Sequence, residues 1–580
     1  MKKITTLFLL LLSICVHAQK ELWGVTPQTL YADVQGNIVK FDMNGETAIT
    51  MHHFNYTTGK RPSGKLFLAS NGKLYGTATY GGIGSNTATY EQDGNGVLYE
   101  YDLTFDTYRV VHYFNYSAPT NIAINPTSGL IEPIPGKLFG GTRWGSFFVY
   151  DIATETVTSL NHTYSFEAMG YINSDLITAS NGFVYAVSAV SYPCVGVTDP
   201  QPNMGAVIKI NTTTNTAQKV ANFLCVGTQG AGSSGNLAEA VPNKIFFTSG
   251  AGIQSVPGEG IISAGTIVEF NTLTNTLTPK ITFDVLNSLG YSPRSIVIGD
   301  NGNLYGICEQ GGDTYRSPFT SGLQHKTGTL FEFNPNSNTI AKLTEFLTFK
   351  NMPQTIIKLT TGELMGNLGN GSVFKYNIDA NTLQFPDLAT YSDFPNQFMT
   401  QNLIEICRKP SYPFLETDTF TICVSQPFTF DIQNINAATY IWKKDGIILP
   451  AQSTAILHLS SVALTDTGSY TCEMVNECGT TVTMPLQLIA DACLGLDEAI
   501  GFKDAITLYP NPTNSILNIK LPDNPNFKIH RISIVNTLGQ LVYSKSEKFT
   551  AIDARFLKTG VYQLVLKTDK GDWNGTFVKE

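Results

Sequence analysis

The strongest constraint on the fold is a phrase that the chain repeats seven times between residues 20 and 407. Each copy has a small turn, a strand of the form apolar-aromatic-Gly, and a second strand that ends in an aromatic residue followed by Asp or Asn. The clearest copies are GKLYG at residues 72–76 with GVLYEYD at 96–102, and GNLYG at 302–306 with GTLFEFN at 328–334. Self-similar strand phrases that recur about every 40 to 60 residues indicate an array of small sheets rather than unrelated domains.

Two further strands complete each repeat, an apolar strand before the aromatic one and a fourth strand after its partner. The ends of the array are incomplete: LWG at residues 22–24 has no apolar strand before it, and the apolar strand 401–406 has no aromatic strand after it. A sheet assembled from both ends would close a ring and leave no free edge. The sequence therefore predicts an all-β fold in which residues 19–407 form a seven-bladed β-propeller.

Residues 1–18 have the features of a secretory signal peptide. Lys2 and Lys3 precede an apolar run, residues 7–14, that is too short to span a bilayer. Cys15 offers lipidation as an alternative, which the bulky Ile14 before it disfavours. The formal net charge is −9 without any basic stripe, which argues against nucleic acid or an anionic membrane as a partner. We expect a protein that is secreted or held at the outer cell surface and has no transmembrane segment.

Eight cysteines follow this leader, and an even number in an exported chain predicts disulfides. Cys194 and Cys225 flank the insertion and outer strand of the fourth repeat, and each is followed by Val-Gly. We predict that these two are joined, which would stabilise the fold by about 3–4 kcal/mol through chain entropy. No cysteine has zinc-like spacing, so no metal or cofactor is predicted. The pairing among four C-terminal cysteines stays open: Cys423, Cys472, Cys478 and Cys493.

The repeated phrase resembles the Gloeo-Verruco (GloVer) repeat of exported bacterial proteins over about residues 60–380. The fourth and fifth repeats depart from it, with Tyr185-Ala186 and Phe246-Phe247 in place of aromatic-Gly. The resemblance implies export but no particular reaction. We expect the aromatic residues of the phrase to fill the space between blades rather than to stack on sugars.

The connections between each aromatic strand and its partner differ in length. They are short in the third and seventh repeats, as at residues 141–145, and long in the second, fourth, fifth and sixth, as at residues 307–328. Equivalent connections leave the same face of a propeller, so this face is the expected recognition surface for an acidic or hydroxyl-rich glycan or a protein. The alternative that the loops only cap the disc stays open. The candidate contacts are Tyr80, Tyr90, Trp144, Tyr192, Glu309, Asp313, Tyr315, Arg316 and His325.

A second module follows the repeats. The run DTGSYTC at residues 466–472 places Tyr470 two residues before a cysteine, and Trp442 lies upstream of it. Residues 416–490 therefore resemble an immunoglobulin-like domain, in which Tyr470 would form the tyrosine corner. The chain has Phe430 where the usual partner of Cys472 would stand, so the usual cross-sheet disulfide is not expected.

The last module, residues 505–580, carries YPNPT at 509–513, ISIVNTLGQ at 532–540 and TGVYQLVL at 559–566. This pattern is similar to the type A C-terminal sorting domain of the Bacteroidetes type IX secretion system. The resemblance implies a small antiparallel β-sandwich, the type IX secretion machinery as a partner, and removal of the domain after transport. Because a linker with few apolar residues precedes it, we expect the rest of the chain to fold without it.

Three functions remain open: a surface binding or adhesion protein, a secreted carbohydrate-active enzyme, and a structural spacer. Sialidase-like Asp boxes, calcium loops, nucleophile elbows and His-Glu-x-x-His helices are absent from the sequence. His52-His53 and His112 stand at equivalent strand positions, which favours packing over general-base catalysis. We therefore predict a binding protein rather than an enzyme. Two carboxylates about 5–10 Å apart in an axial pocket would instead favour a glycosidase.

Overall fold

The computed structural model describes residues 20–26, 35–82, 94–115, 124–162, 170–172, 174–189, 205–223, 235–249, 253–256, 260–285, 287–312, 328–346, 352–369, 372–386, 401–412, 417–432, 437, 439–492, 506–521, 528–536, 541–545, 550–568 and 571–580. One compact unit comprises Lys20–Ile406, and another contains Cys407–Glu580. Within these ranges the regular elements are β-strands, apart from one 3-10 turn at Leu464–Asp466. None of the described residues forms a helix long and apolar enough to cross a membrane.

The unit Lys20–Ile406 is an array of sheets that follow the sequence repeats, here named sheets 1 to 7 in chain order. Their strands are antiparallel, except that the short strand Asn161–His162 pairs in parallel with Thr216–Asn222. In each sheet the apolar strand lies first, followed by the aromatic strand, its partner and the outer strand. Sheet 2 contains Lys60–Leu68, Leu74–Tyr80, Val97–Asp102 and Thr107–Tyr113. Sheet 3 contains Ile131–Ile134, Lys137–Gly141, Phe147–Asp151 and Thr156–Ser159. Sheet 4 contains Ile177–Thr178, Val184–Ala189, Ala206–Asn211 and Thr216–Asn222, and it is extended by Asn161–His162 and Tyr171–Ile172.

Sheets 5 to 7 have the same order. Sheet 5 contains Ala238–Val241, Lys244–Ser249, Thr266–Asn271 and Thr276–Thr282. Sheet 6 contains Tyr291–Ile298, Leu304–Gln310, Thr329–Asn334 and Thr339–Glu345. Sheet 7 contains Pro353–Lys358, Leu364–Leu368, Val373–Asn377 and Thr382–Gln384. The long connection of sheet 5 contains its own hairpin, Ile253–Val256 with Gly260–Ser263.

Sheet 1 joins the two ends of this unit. It contains Lys20–Thr26, Asn37–Phe41 and Ala48–His53, and the late strand Gln401–Cys407 hydrogen-bonds to Lys20–Thr26 at its edge. This confirms the pairing predicted from the two incomplete repeats. The strand that the N-terminus lacks is supplied from about 380 residues later in the chain, so neither end of the array is left as an unpaired aromatic strand.

The aromatic-Gly phrase has a packing explanation. Gly76 lies opposite Tyr99 on the partner strand, and a Cβ added at Gly76 would lie 2.3 Å from the Tyr99 hydroxyl oxygen. Gly306 faces Phe331 in the same way, with 2.3 Å to the ring. The glycine leaves room for the aromatic ring that crosses it. The exceptions fit this account: Ala186 and Phe247 occupy the glycine position, and they face the smaller side chains of Ile208 and Val268.

Glutamates tie neighbouring sheets together at the hairpin between the first two strands. The backbone N–H and hydroxyl of Ser180 donate to Glu239 of the next sheet at 2.6 and 2.7 Å. Ser70 and Glu132 repeat this arrangement between sheets 2 and 3. Thr360 donates through both groups to Glu405 at 2.6 Å each, and Glu405 lies on the strand that closes sheet 1. The same contact therefore joins sheet 7 to sheet 1.

In the unit that contains Cys407–Glu580, residues up to 492 form two sheets. Trp442 and Tyr470 are buried between them, and the Tyr470 hydroxyl donates to the Asp466 carbonyl oxygen at 2.7 Å. This is the hydrogen bond expected of a tyrosine corner. One sheet contains Asp418–Cys423, Leu486–Asp491, Gly468–Asn476, Thr439–Lys444, Ile447–Ile448 and Gly479–Val482, and the other pairs Phe428–Asp431 with Ile456–Leu459.

The cysteines of this region do not pair only among themselves, which corrects the assumption made from the sequence. Cys478 forms a disulfide with Cys407, with their Cα atoms 5.2 Å apart. Cys472 is a buried free thiol, so the cross-sheet disulfide is indeed missing at this position. Cys423 is also disulfide-bonded. Cys407 was overlooked because it stands at the end of the last propeller strand, 71 residues from its partner.

The C-terminal residues form two antiparallel sheets around one core, as the alternating pattern predicted. Leu517, Ile534, Leu564 and Phe577 are fully buried between them, and Trp573 is nearly so. One sheet contains Thr507–Tyr509, Ile516–Lys520 and Ala551–Asp553, and the other contains Leu541–Lys545, Ile529–Asn536, Gly560–Thr568 and Gly571–Lys579.

Candidate functional site

Two of the predicted contact residues, Tyr80 and Trp144, lie close together at one end of the aromatic strands. Tyr80 ends the aromatic strand of sheet 2, and Trp144 follows that of sheet 3. Glu309 lies in sheet 6, where Arg294 already pairs with it at 2.5 Å. Six predicted residues and one predicted disulfide lie outside the described ranges: Tyr90, Tyr192, Asp313, Tyr315, Arg316, His325, and Cys194 with Cys225.

The short connection of sheet 3 is a tight turn that presents two large side chains. The Thr142 N–H donates to the Ser146 carbonyl at 2.9 Å, and the Gly145 N–H donates to the Thr142 carbonyl at 3.2 Å. Gly145 has φ of +80°, a left-handed conformation that glycine adopts without steric cost. The turn therefore fixes the backbone of Arg143 and Trp144, whose side chains are both partly exposed.

Asn125 anchors this turn from the neighbouring segment. Its carbonyl accepts the Arg143 N–H at 2.8 Å, and its side-chain oxygen accepts the Trp144 indole N–H at 2.9 Å. Its amide nitrogen donates to the Thr79 carbonyl at 2.9 Å, one residue before Tyr80. Asn125 is 7% exposed, so the bonds by which it connects sheets 2 and 3 are largely shielded from water.

The Arg143 guanidinium lies among aromatic side chains. It donates to the Tyr80 hydroxyl, and its central carbon lies 5.9 Å from the Trp144 ring centroid and 5.8 Å from that of Tyr171. The Trp144 and Tyr171 centroids are 6.0 Å apart at an interplanar angle of 50°. Since Tyr80 is only 5% exposed, it supports the arginine through its hydroxyl and offers no open ring face.

We name Tyr80, Asn125, Arg143, Trp144 and Tyr171 the arginine–aromatic cluster. Across the described ranges no carboxylate forms an ion pair with Arg143, and its guanidinium donates to the Tyr80 hydroxyl. Guanidinium N–H groups bind carboxylate or sulfate oxygens in pairs, and aromatic faces stack on the apolar faces of sugar rings. The cluster thus combines an anion-binding group with two partly exposed rings.

Sequence reasoning found Tyr80 and Trp144 but missed Arg143, Asn125 and Tyr171. Arg143 stands next to Trp144, so the signal was an Arg-Trp pair in one of the two short connections of the array. Asn125 and Tyr171 belong to segments with no recognisable phrase. They reach the cluster because sheets 2, 3 and 4 stand side by side. The repeat predicts the order of these sheets along the chain but not which of their side chains meet.

A cavity of about 460 Å³ runs along the first strands of the sheets. Its walls are mainly apolar, and Lys65, Asp175 and Asn236 supply its polar groups. Asp175 accepts a hydrogen bond from the Gly129 N–H at 3.3 Å, and burial raises the pKa of its carboxyl group. Among the residues that line this cavity Asp175 is the single carboxylate, so the pair that would favour a glycosidase is not found there.

The histidines of the repeats pack as the sequence predicted. The His52 ring stacks on Tyr108 at 3.6 Å and meets the edge of Phe54, and His112 meets the edge of Phe114 in the equivalent place. Burial lowers the pKa of His52 to about 4, helped by the adjacent His53, and burial also lowers the pKa of His112. Both rings are therefore neutral packing groups at pH 7.

Residues 507–580 match a known family, the secretion system C-terminal sorting domain. This match assigns the tail to type IX secretion, and the protein is accordingly secreted or displayed at the outer cell surface. The tail is thus the part of the chain that interacts with the type IX secretion machinery.

Several solved structures are similar to the chain at low identity. The extracellular domain of a hybrid two-component system from B. thetaiotaomicron is 11% identical, with a TM-score of 0.38 over 90% of this chain and 71% of that one. YCF48 bound to D1 peptide is 11% identical, with a TM-score of 0.29 over 66% and 84%. The WD40 β-propeller domain of Doa1 is 11% identical, with a TM-score of 0.24 over 44% and 80%. We draw no functional conclusion from these likenesses.

Proposed function

We propose that this protein is an exported binding protein whose arginine–aromatic cluster recognises an acidic glycan. Sheets 1 to 7 would be the blades of a seven-bladed propeller of GloVer-like repeats, and residues 416–490 an immunoglobulin-like domain. Residues 1–18 would be its signal peptide. The observation that carries the proposal is the Arg143 side chain, held by Tyr80 between two partly exposed rings without a carboxylate partner among the described residues.

The geometry favours an anionic sugar over a neutral one. A neutral sugar would use the faces of Trp144 and Tyr171 but would leave the guanidinium without an anionic partner. A uronate carboxylate or a sulfate ester would gain charge-assisted hydrogen bonds from Arg143 while its ring stacks on a neighbouring aromatic face. Because Asn125 and the turn fix the backbone, the cluster is arranged before the ligand arrives, which lowers the entropic cost of binding.

The test uses the mature full-length protein and a panel of polysaccharides that carry uronate or sulfate groups, each with its neutral counterpart. Arg143→Ala should weaken binding of the acidic members at least about tenfold, which corresponds to the loss of one charge-assisted contact. Arg143→Lys should restore only part of the affinity, because an ammonium cannot form the paired bonds of a guanidinium. Trp144→Ala should weaken acidic and neutral members alike.

Arg294→Ala is the matched control, since Arg294 is an exposed arginine of the same array that Glu309 already neutralises. It should leave the affinity for every glycan unchanged. Wild-type affinity in both Arg143→Ala and Trp144→Ala would refute the site. Binding that persists in these variants but is lost when residues 416–490 are removed would place recognition in that module instead.

A further inference from the structure

A buried charge cluster joins the sorting tail to the module that precedes it. Asp418 lies on the edge strand Asp418–Cys423 of that module, and it pairs with Arg531 at 3.3 Å and with Lys567 at 3.6 Å. The three side chains are 12%, 9% and 24% exposed, in that order. They are therefore largely shielded from water.

An aromatic contact accompanies these ion pairs. Phe420 stands two residues after Asp418, so both side chains lie on the same side of the strand. The Lys567 ammonium lies 3.9 Å from the Phe420 ring centroid and 5.8 Å from that of Phe430. Burial at this contact lowers the pKa of Lys567 and raises that of Tyr412, whose charged neighbours are Asp418 and Arg531. The preceding module thus offers an anion beside two rings to a cation of the tail.

The anion of Asp418 offsets a repulsion between two cations of the tail. Arg531 and Lys567 face each other directly on neighbouring strands of its sheet, and like charges in that position repel. Asp572 lies opposite Lys567 on the next strand but forms no ion pair with it in the described part of the tail. Asp418 lies within ion-pair distance of both cations. It therefore supplies from the other module a counter-charge for two cations that the tail brings together.

We propose that the sorting tail docks in cis on Asp418 and Phe420, and that the secretion machinery reads this docked pair of modules as the export signal. No local pattern in the sequence indicates this contact, because its residues lie 113 positions apart. That the rest of the chain folds without the tail stays a prediction. This inference does not depend on the glycan-binding proposal, since it involves none of the residues of the arginine–aromatic cluster.

The first measurement tests docking in the purified full-length chain. Asp418→Ala leaves every residue of the tail unchanged but removes the counter-charge of Arg531 and Lys567. Amide hydrogen exchange in Ile529–Asn536 and Gly560–Thr568 should become at least about tenfold faster. Glu473→Ala is the matched control, because Glu473 pairs with Lys443 inside the preceding module at 2.5 Å. It should leave exchange in the tail unchanged.

The second measurement tests export in a host that has the type IX system. Asp418→Ala should reduce the fraction of the chain at the cell surface several-fold, whereas Glu473→Ala should not. Asp418→Lys combined with Arg531→Asp, which exchanges the two charges, should restore part of both readouts and so separates docking from general misfolding. Wild-type exchange in Asp418→Ala would refute docking. Faster exchange with normal surface delivery would refute the composite export signal.

Discussion

The contact that closes the array can be tested through Glu405. This residue lies on Gln401–Cys407, the strand that completes sheet 1, and it accepts two hydrogen bonds of 2.6 Å from Thr360 of sheet 7. Glu405→Ala removes both bonds and leaves the Thr360 N–H and hydroxyl to water. Glu405→Gln keeps an acceptor for the N–H and a donor for the hydroxyl, so it loses only the charge.

The magnitude follows from the geometry. A hydrogen bond contributes about 0.5–1.5 kcal/mol to the free energy of unfolding, and the exposed position of this contact keeps it near the lower half of that range. The alanine variant should therefore lose about 1–2 kcal/mol. In a unit that spans Lys20–Ile406 the unfolding entropy is large, so the melting temperature should fall by only about 1–3 °C.

Hydrogen exchange resolves the effect better than a melting curve, because the lost bonds hold the two ends of the unit. Peptides from Lys20–Thr26 and Gln401–Cys407 should exchange about tenfold faster in Glu405→Ala and much less so in Glu405→Gln. Glu239→Ala is the control: it removes the equivalent bonds between sheets 4 and 5, and one more from the Asn243 N–H at 2.7 Å. It should loosen sheets 4 and 5 without loosening the closing strands. Unchanged exchange of the closing strands in Glu405→Ala, or equal loosening by Glu239→Ala, would refute the reasoning.

Three further predictions rest on separate features. Gly306→Ala should lower the free energy of unfolding in urea by about 1–3 kcal/mol, because its Cβ would lie 2.3 Å from Phe331. Adding Phe331→Ile, which copies the Ala186–Ile208 pair, should recover part of this loss. The folded-state pKa of His52, lowered to about 4, lies below the unfolded value of about 6.5, so the free energy of unfolding should decrease as pH falls from 6.5 to 4. The loss should be roughly 1–2 kcal/mol after allowance for partial exposure. His52→Phe should reduce this dependence of stability on pH, and an unchanged dependence would contradict the burial argument. Non-reduced peptide mapping of the secreted protein should recover Cys194 and Cys225 in one disulfide-linked pair, and free thiols at both positions would contradict that prediction.

The sequence by itself determined the elements that depend on near neighbours. Hairpin turns such as Asn71-Gly72, the alternation of apolar residues and the aromatic-Gly phrase are all encoded within a few positions, because backbone hydrogen bonding and side-chain size act locally. The same local pattern predicted the shared first and last sheet, since each incomplete repeat lacks the strand that the other supplies. The departures at Ala186 and Phe247 were visible, but their compensation by Ile208 and Val268 needed the cross-strand register.

The tertiary structure alone decided which distant residues meet. Arg143 reaches Tyr80 across 63 positions, Cys407 reaches Cys478 across 71, and Asp418 reaches Arg531 across 113. Each meeting depends on how whole sheets and modules pack, and packing is set by summed contacts of many side chains rather than by any pattern next to the residues concerned. For this reason the composition of the repeat predicted the strands, whereas the arginine–aromatic cluster and the docking of the tail became apparent only when the sheets were placed side by side.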